Sequence, residues 1–228
     1  MTACRVGICV LGAVLALALP ADAIGQTVTD TRGWLSVIAQ HRPRAGSSWE
    51  TAFEGIAHSR DGIRTRDVFG TRFTLLRRLS ARTALGGGYL YDRAFAASGV
   101  VVEHRVFGQF TTAVPAAGGT WAFRTRVEAR FIEGNGGEVT RLRQQVGFTR
   151  PWRSSSRLAL TASDELLVHA NGGVRGPRGL DQNRLFAGVS VAVSGARLQA
   201  GYLHDLVPGH GRPRRVSHIL STLLTVPF

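Results

Sequence analysis

The chain has 228 residues, 44% of them hydrophobic, and a formal net charge of +13. This length is sufficient for one domain. All 28 positive side chains are arginines, because the sequence contains no lysine. The two cysteines, Cys4 and Cys9, both lie near the N-terminus. The remainder of the chain therefore has no disulfide framework, thiol nucleophile or thiolate metal site.

The first residues have the order of a secretory signal peptide. Arg5 precedes an unbroken apolar run over residues 6–19, and the small-residue segment 21–23 follows after a proline. This order predicts cleavage after residue 23. A transmembrane anchor is less favoured, because a helix that spans a bilayer needs about 20 apolar residues. We expect a signal peptide over residues 1–23 and one mature domain over residues 24–228.

Eleven segments of the mature chain have the pattern of β-strands. They are residues 33–41, 48–58, 66–79, 81–92, 99–113, 120–132, 139–150, 155–169, 181–193, 196–205 and 216–228. In segment 120–132, Trp121, Val127 and Phe131 alternate with charged residues such as Arg126 and Glu128. An apolar face opposite a charged face is typical of a barrel wall between lipid and a polar lumen. The sequence therefore predicts an all-β, antiparallel transmembrane β-barrel, and a soluble periplasmic β-sandwich is the alternative fold.

The connections between these segments are predicted to alternate in length. Short turns are expected near residues 80, 115–119, 151–156 and 194–195, and longer external loops at 93–98, 133–138, 171–179 and 207–215. This arrangement places aromatic residues at both rims of the barrel. Trp121, Trp152 and Phe228 are expected at the periplasmic rim, and Tyr89, Tyr91 and Tyr202 toward the outer one.

The sequence also predicts the number of strands and an assembly signal at the end of the chain. Bacterial outer-membrane barrels have even numbers of strands, so eleven segments lead us to expect 10 or 12 strands. The last segment ends in Leu224, Val226 and Phe228, with Pro227 one residue from the end. Such a strand resembles the terminal signal read by the outer-membrane assembly machinery. That machinery is therefore a predicted partner.

Several of these segments resemble the domain-of-unknown-function 2490 family, which consists of uncharacterised bacterial proteins expected to be outer-membrane barrels. The matching residues are Gly88-Tyr89, Glu103-His104-Arg105 with the following Val-Phe-Gly-Gln, Arg126-Val-Glu128-Ala-Arg130-Phe131, Arg141-Leu-Arg143, Asp164-Glu165, Asp181-Gln-Asn183-Arg184-Leu-Phe-Ala-Gly188, Gly201-Tyr202-Leu203 and His218-Ile-Leu-Ser. The resemblance spans residues 33–228. It implies the fold and an outer-membrane location, and it supplies no substrate.

Charged residues on the predicted inner face form the strongest candidate site. We call ten of them the lumen charge ladder: Glu103, Arg105, Arg124, Arg126, Glu128, Arg130, Arg141, Arg143, Glu165 and Arg184. Arg157 and Arg197 extend it by the same alternation, which leaves nine arginines against three glutamates, an excess of +6. In one hypothesis these side chains interlock and fill the lumen, because desolvated charges need partners. In the other they line a narrow, anion-favouring channel.

A second basic cluster lies in the last predicted external loop. Arg212, Arg214 and Arg215 form this loop basic patch, which is suited to the phosphates of lipopolysaccharide through charge-assisted hydrogen bonds. The alternative is a solvated loop in an arginine-rich protein. Outer-membrane lipids and lipopolysaccharide are thus predicted partners. Nucleic acid, the usual partner of a strongly basic chain, is not expected for an exported protein.

The sequence predicts no catalytic residue, cofactor or metal site. A lipid-modifying enzyme is the less favoured function, with Ser163 near Glu165 and with His104, His204 and His218 on the outer face. No motif singles out a nucleophile, and spacing alone does not give catalytic geometry. The seven histidines are dispersed along the chain, with no pair at ligand spacing.

Overall fold

The computed structural model describes residues 26–41, 47–134, 137–152, 157–172 and 177–228. Its strands are β1 (Thr27–His41), β2 (Trp49–Arg60), β3 (Thr65–Arg78), β4 (Thr83–Ala96), β5 (Gly99–Ala116), β6 (Gly119–Ile132), β7 (Glu138–Pro151), β8 (Leu158–His169), β9 (Gly179–Val193), β10 (Ala196–Val207) and β11 (Arg214–Pro227). The predicted signal peptide, residues 1–23, lies outside the described residues. Among those described, none forms a helix long and apolar enough to cross a membrane.

The eleven strands form one closed β-barrel, and the predicted all-β barrel fold is confirmed. Each strand pairs antiparallel with its neighbours in sequence, except that β1 pairs in parallel with β11. Both of these strands begin at one end of the barrel, here called the N-terminal rim, and both end at the opposite C-terminal rim. An odd number of up-and-down strands can close only through such a parallel pair.

The expectation of 10 or 12 strands was wrong. Each of the eleven predicted segments corresponds to one strand, and no further strand occurs in the parts of the chain that the structure describes. The error came from applying the even-number rule, which holds when every neighbouring pair is antiparallel. The parallel ladder runs from Thr27↔Arg214 to Gln40↔Pro227. It also provides hydrogen-bond partners for the backbone of both edge strands of the sheet.

Two of the connections at the C-terminal rim are two-residue hairpin turns. Ala117 and Gly118 have φ of 52° and 71°, and Ser194 and Gly195 have 48° and 85°. Two successive positive φ angles twist a turn in the sense that matches the flanking strands. At the N-terminal rim, the predicted long loop over 93–98 is not present, because β4 and β5 continue until only residues 97–98 connect them.

The outer face of the barrel is predominantly apolar. Exposed side chains there include Val37, Phe53, Phe69, Phe73, Leu85, Val106, Phe110, Val127, Phe131, Leu142, Leu160, Leu185, Val189, Leu198 and Leu220. Trp121 packs against Phe148 near the C-terminal rim, with 4.8 Å between the ring centroids. Asp164 is an exposed exception near the middle of β8, and it accepts a 2.6 Å hydrogen bond from Asn183.

Two β-bulges interrupt the inside–outside alternation of the wall. The register between β2 and β3 shifts after His58, and Asp67 is left without a partner residue. The register between β8 and β9 shifts after Leu167, and Asp181 is left out in the same way. A bulge redirects the extra side chain, and Asp67 indeed contacts Arg32 of the interior at 2.7 Å.

One side of the interior is apolar and is built on glycines. Phe186, Leu203 and Ile219 form a buried cluster, against which Trp34 packs. The Phe186 ring lies over two paired glycines, and a Cβ added to Gly201 would lie 2.8 Å from its Cζ and 2.3 Å from a backbone oxygen. Glycine at this position therefore lets the ring and the neighbouring strand approach closely.

Candidate functional site

All ten residues of the lumen charge ladder lie on strands β5 to β9 and point into the barrel. Seven of them are buried: Glu103, Arg126, Glu128, Arg130, Arg141, Arg143 and Glu165. The other three, Arg105, Arg124 and Arg184, are half-buried. They face inward because side chains alternate along a strand, and these residues alternate with the exposed apolar residues of the same strands. The strand geometry alone therefore concentrates these charges in one enclosed space.

Glu128 and Glu165 are the two carboxylates at the centre of the ladder. Arg141 donates to Glu128 Oε2 through Nη2 at 2.6 Å and through Nε at 2.9 Å. Arg143 bridges the two carboxylates, with Nη1 2.9 Å from Glu128 Oε1 and Nη2 2.8 Å from Glu165 Oε2. Arg124 donates to Glu165 Oε1 at 2.8 Å. Charge-assisted, multidentate contacts of this kind are the strongest hydrogen bonds in proteins.

Glu103 holds the part of the ladder contributed by β5 and β6. Arg130 donates to both of its oxygens, through Nε at 2.5 Å and Nη2 at 3.1 Å. Arg105 on the same strand donates to Glu103 Oε1 at 2.7 Å. The Arg105 guanidinium also lies 2.8 Å from Asp92 on β4, so this group extends the ion pairing to a further strand.

Three aspartates that the sequence analysis left out of the ladder also face the lumen. Besides Asp92, Asp181 lies 3.1 Å from Arg141, and Asp205 lies 3.4 Å from Arg184. Continuing the alternation from Leu90 and Leu203 would have identified Asp92 and Asp205. The alternation could not have identified Asp181. By its place in β9 its side chain is expected to face outward, but the bulge turns it inward.

These three aspartates and the ladder form one connected set, which we call the lumen network. It contains seven arginines, Arg105, Arg124, Arg126, Arg130, Arg141, Arg143 and Arg184, and six carboxylates, Asp92, Glu103, Glu128, Glu165, Asp181 and Asp205. The network thus has an excess of one positive charge. The predicted excess of +6 was wrong, because it counted no aspartate and because Arg157 and Arg197 lie beside the C-terminal rim.

Arg126 differs from the other arginines of the network. Its Nε and Nη2 both donate to the neutral side chain of Gln109, with Nε at 2.9 Å. Its guanidinium stacks on the Phe107 ring, 4.1 Å from the centroid. Within the described residues Nη1 makes no hydrogen bond, and the nearest carboxylate oxygen is Glu128 Oε1 at 3.5 Å. Arg126 is therefore the guanidinium that lacks a carboxylate of its own.

The lumen changes character between the network and the C-terminal rim. Inward positions there carry mostly small side chains that are half-buried: Ser36, Ala52, Thr74, Gly86, Thr111, Gly147, Thr161, Gly188, Gly201 and Ser221. Long charged side chains thus fill the half beside the N-terminal rim. The other half is lined mostly by small side chains.

The loop basic patch does not form one surface. Arg212 and Arg214 are exposed at the N-terminal rim, but β11 already begins at Arg214. Arg215 is half-buried, and its Nε is buried without a hydrogen bond to any described residue. The prediction of three loop arginines was therefore wrong for Arg214 and Arg215, because the strand continues further than its apolar residues suggested.

Two outward histidines bond to tyrosines on neighbouring strands. The Tyr89 hydroxyl lies 2.5 Å from His104 Nδ1, and the Tyr202 hydroxyl lies 2.6 Å from His218 Nδ1. Ser163 faces the lumen, on the opposite side of the wall from these histidines. In the described part of the chain, no group of three or more His, Cys, Asp or Glu residues could hold a metal ion.

The chain matches the profile of a known protein family. The profile of the family described as protein of unknown function DUF2490 matches residues 31–216. No curated protein and no solved structure matches the chain. The matched range extends from β1 into β11 and includes every residue of the lumen network. The chain belongs to the DUF2490 family of proteins of unknown function.

Proposed function

We propose that this chain is a bacterial outer-membrane β-barrel whose lumen network closes the channel at rest. The observation that carries the proposal is the network itself. Seven guanidinium groups and six carboxylates from strands β4 to β10 interlock across the lumen, and the side chains of Glu128 and Arg126 are 1% and 3% exposed. Side chains bonded to this extent leave no continuous path for a solute through that half of the barrel.

The outer-membrane location is supported by the two faces of the wall. A barrel in lipid needs an apolar outer surface and a sheet without open edges. The exposed apolar residues of the outer face and the parallel β1–β11 closure meet both requirements. The predicted signal peptide and the terminal strand ending in Phe228 support export and assembly. In this proposal the C-terminal rim faces the periplasm.

A narrow anion-favouring channel is the second candidate function. It was first suggested by a predicted lumen excess of +6, whereas the network carries an excess of one charge. A channel that selects anions needs guanidinium groups facing water, and most of those in the network are bonded to carboxylates. The geometry therefore favours the closed barrel.

Single-channel recording of residues 24–228, refolded into planar bilayers, tests the closed barrel. We expect no conductance steps from the wild type. The double variant Arg143→Ala/Glu165→Ala removes one positive and one negative charge together and keeps the net charge of the network, so it should open the lumen and produce steps. The matched control Arg78→Ala/Glu50→Ala removes the 2.7 Å pair outside the network and should remain closed.

Steady anion-selective steps from the wild type would contradict the closed barrel. If these steps shifted toward cations in Arg126→Glu or Arg143→Glu, the channel would be the correct function. Folding of each variant is checked independently by its heat-modifiable mobility on a gel, which requires a folded barrel but no conductance.

Contact with lipopolysaccharide is a further proposal for the N-terminal rim. Arg212 and Arg214 are exposed there and would face the outer leaflet if the C-terminal rim is periplasmic. Guanidinium groups suit phosphate head groups. Arg212→Gln/Arg214→Gln should weaken the binding of the refolded barrel to lipopolysaccharide, and unchanged binding would count against this contact.

A further inference from the structure

We infer that the lumen holds a small tetrahedral oxyanion of the phosphate type, bound by Arg126 with Arg124 and Arg72. The starting point is the surplus positive charge of the network. An ion pair deprived of one partner in a protein interior is strongly destabilised, because a buried charge needs compensation. Arg126 comes nearest to this state in the network, because Gln109 is neutral and its one carboxylate, Glu128 at 3.5 Å, is shared with Arg141 and Arg143.

The rest of the chain does not provide the missing carboxylate. Of its fifteen Asp and Glu residues, only Asp22 lies outside the described residues, within the predicted signal peptide. The other fourteen are placed, and for Arg126 the nearest described carboxylate oxygen is the one at 3.5 Å on Glu128. A bound anion would supply the compensation that the carboxylates of the chain provide only in part.

Arg126, Arg124 and Arg72 lie within electrostatic range of one another, and each has one buried N–H donor without a described partner. Arg126 Nη1, Arg124 Nε and Arg72 Nε are buried and have no hydrogen-bond partner among the residues that the structure describes. At least one other nitrogen of each group is already bonded, since Arg126 Nε binds Gln109, Arg124 Nη2 binds Glu165 and Arg72 Nη1 lies 2.9 Å from Glu54. Unsatisfied buried donors in a folded protein commonly mark an ion or water that completes the site.

The chemistry of the donors indicates the class of ligand. Guanidinium groups present planar arrays of N–H donors that match the several oxygens of phosphate. The electrostatic environment favours an anion, because three arginines, Arg124, Arg143 and Arg72, lie near enough to repel the Arg126 guanidinium, against the attraction of Glu128. Arg124 is 25% exposed and adjoins the half of the lumen lined by small side chains, so the anion enters from the C-terminal rim.

The test measures binding of inorganic phosphate to the refolded barrel in detergent micelles, by calorimetry and by thermal unfolding. Chloride at equal ionic strength is the reference. We expect phosphate to bind and to raise the unfolding temperature of the wild type. Arg126→Met should weaken phosphate binding by about tenfold or more, because it removes a charge-assisted donor. Arg124→Gln should weaken it less, and the exposed Arg212→Gln should leave it unchanged.

The unfolding temperature measured without phosphate is an independent test of the inference. Arg126→Met removes a buried charge that only shares a carboxylate with two other arginines, so it should raise the unfolding temperature in chloride. Arg143→Met removes a charge bonded to two carboxylates and should lower it. Absence of phosphate binding to the wild type, or equal binding by Arg126→Met and wild type, would overturn the inference. A lower unfolding temperature of Arg126→Met in chloride would do the same. None of these results bears on whether the barrel conducts, which the bilayer recording decides separately.

Discussion

Asp67 and Asp181 occupy equivalent places in two β-bulges, and each bulge turns an aspartate toward an arginine of the lumen. Asp67 lies two positions into β3 and contacts Arg32 at 2.7 Å. Asp181 lies two positions into β9 and contacts Arg141 at 3.1 Å. Bulges are thus the means by which this wall adds carboxylates to its inner face without breaking the apolar alternation of the outer one.

Replacing Asp181 tests the contribution of the bulged carboxylate. Asp181→Asn removes a charge next to Arg141 and His169, which lie 3.1 and 3.4 Å away, in a site that is 17% exposed. We expect the free energy of unfolding to fall by about 1–3 kcal/mol. Urea unfolding of the refolded barrel measures this change. Asp61→Asn, at a side chain 61% exposed, is the control and should change stability little; an equal loss in both variants would contradict the prediction.

Glu128 should be the most costly carboxylate of the network to remove. Its side chain is 1% exposed and accepts hydrogen bonds from both Arg141 and Arg143. Glu128→Gln removes one of the two carboxylates of each of these buried guanidinium groups, so we expect a loss of about 3–5 kcal/mol. The same urea titration provides the value. Glu138→Gln, at the exposed start of β7, should lose less than about 0.5 kcal/mol, and a small effect at Glu128 would show that the network contributes little to stability.

Gly201 should tolerate no side chain. A Cβ there would lie 2.3 Å from the Ala187 oxygen and 2.6 Å from Gly188 Cα, which are backbone atoms of the neighbouring strand. Gly201→Ala must therefore displace the strand, at a cost of about 1–3 kcal/mol. Gly108→Ala is the matched control, because nothing lies within 4 Å of its added Cβ. The comparison is made by refolding yield and unfolding midpoint, and similar values for the two variants would contradict the close packing at β9–β10.

A cross-link can test the parallel closure of the barrel. Val37 on β1 is the register partner of Leu224 on β11. Neighbouring strands lie about 4.8 Å apart, so cysteines at both positions should be joined by a short bifunctional thiol reagent in the folded protein. Residues 24–228 contain no cysteine, so no other thiol competes for the reagent. Val37→Cys with Leu220→Cys is displaced by four residues and should not react; the reverse pattern would rule out this register.

Removing Phe228 should separate assembly from folding. Its side chain is 65% exposed, and its backbone contributes one 3.1 Å hydrogen bond to the Gln40 oxygen. Loss of the residue should therefore leave refolding in detergent nearly unchanged. In cells we expect reduced amounts in the outer membrane, measured by fractionation, because the terminal aromatic residue is proposed to be read by the assembly machinery. Normal amounts in cells would argue against that role.

The alternation of the strands could be recognised without the structure. In segment 120–132, an apolar outer face alternates with the charged residues Arg124, Arg126, Glu128 and Arg130. The alternation within this one strand is therefore enough to assign the charged residues to the inner face. The same reasoning located all eleven segments. It did not find Asp181, because a bulge depends on how two strands pair and leaves no periodic signal in either of them.

What the sequence determined by itself is thus the set of strands and which of their residues face inward, since both follow from a period of two along each strand. The closed tertiary structure decided the rest. The pairing of β1 with β11, which sets the strand number at eleven, and the meeting of Arg143 with Glu128 and Glu165 depend on the register between strands. The charge balance of the lumen, with Arg126 in excess, depends on that register too, because a pair is defined by distance across the barrel and not by spacing along the chain.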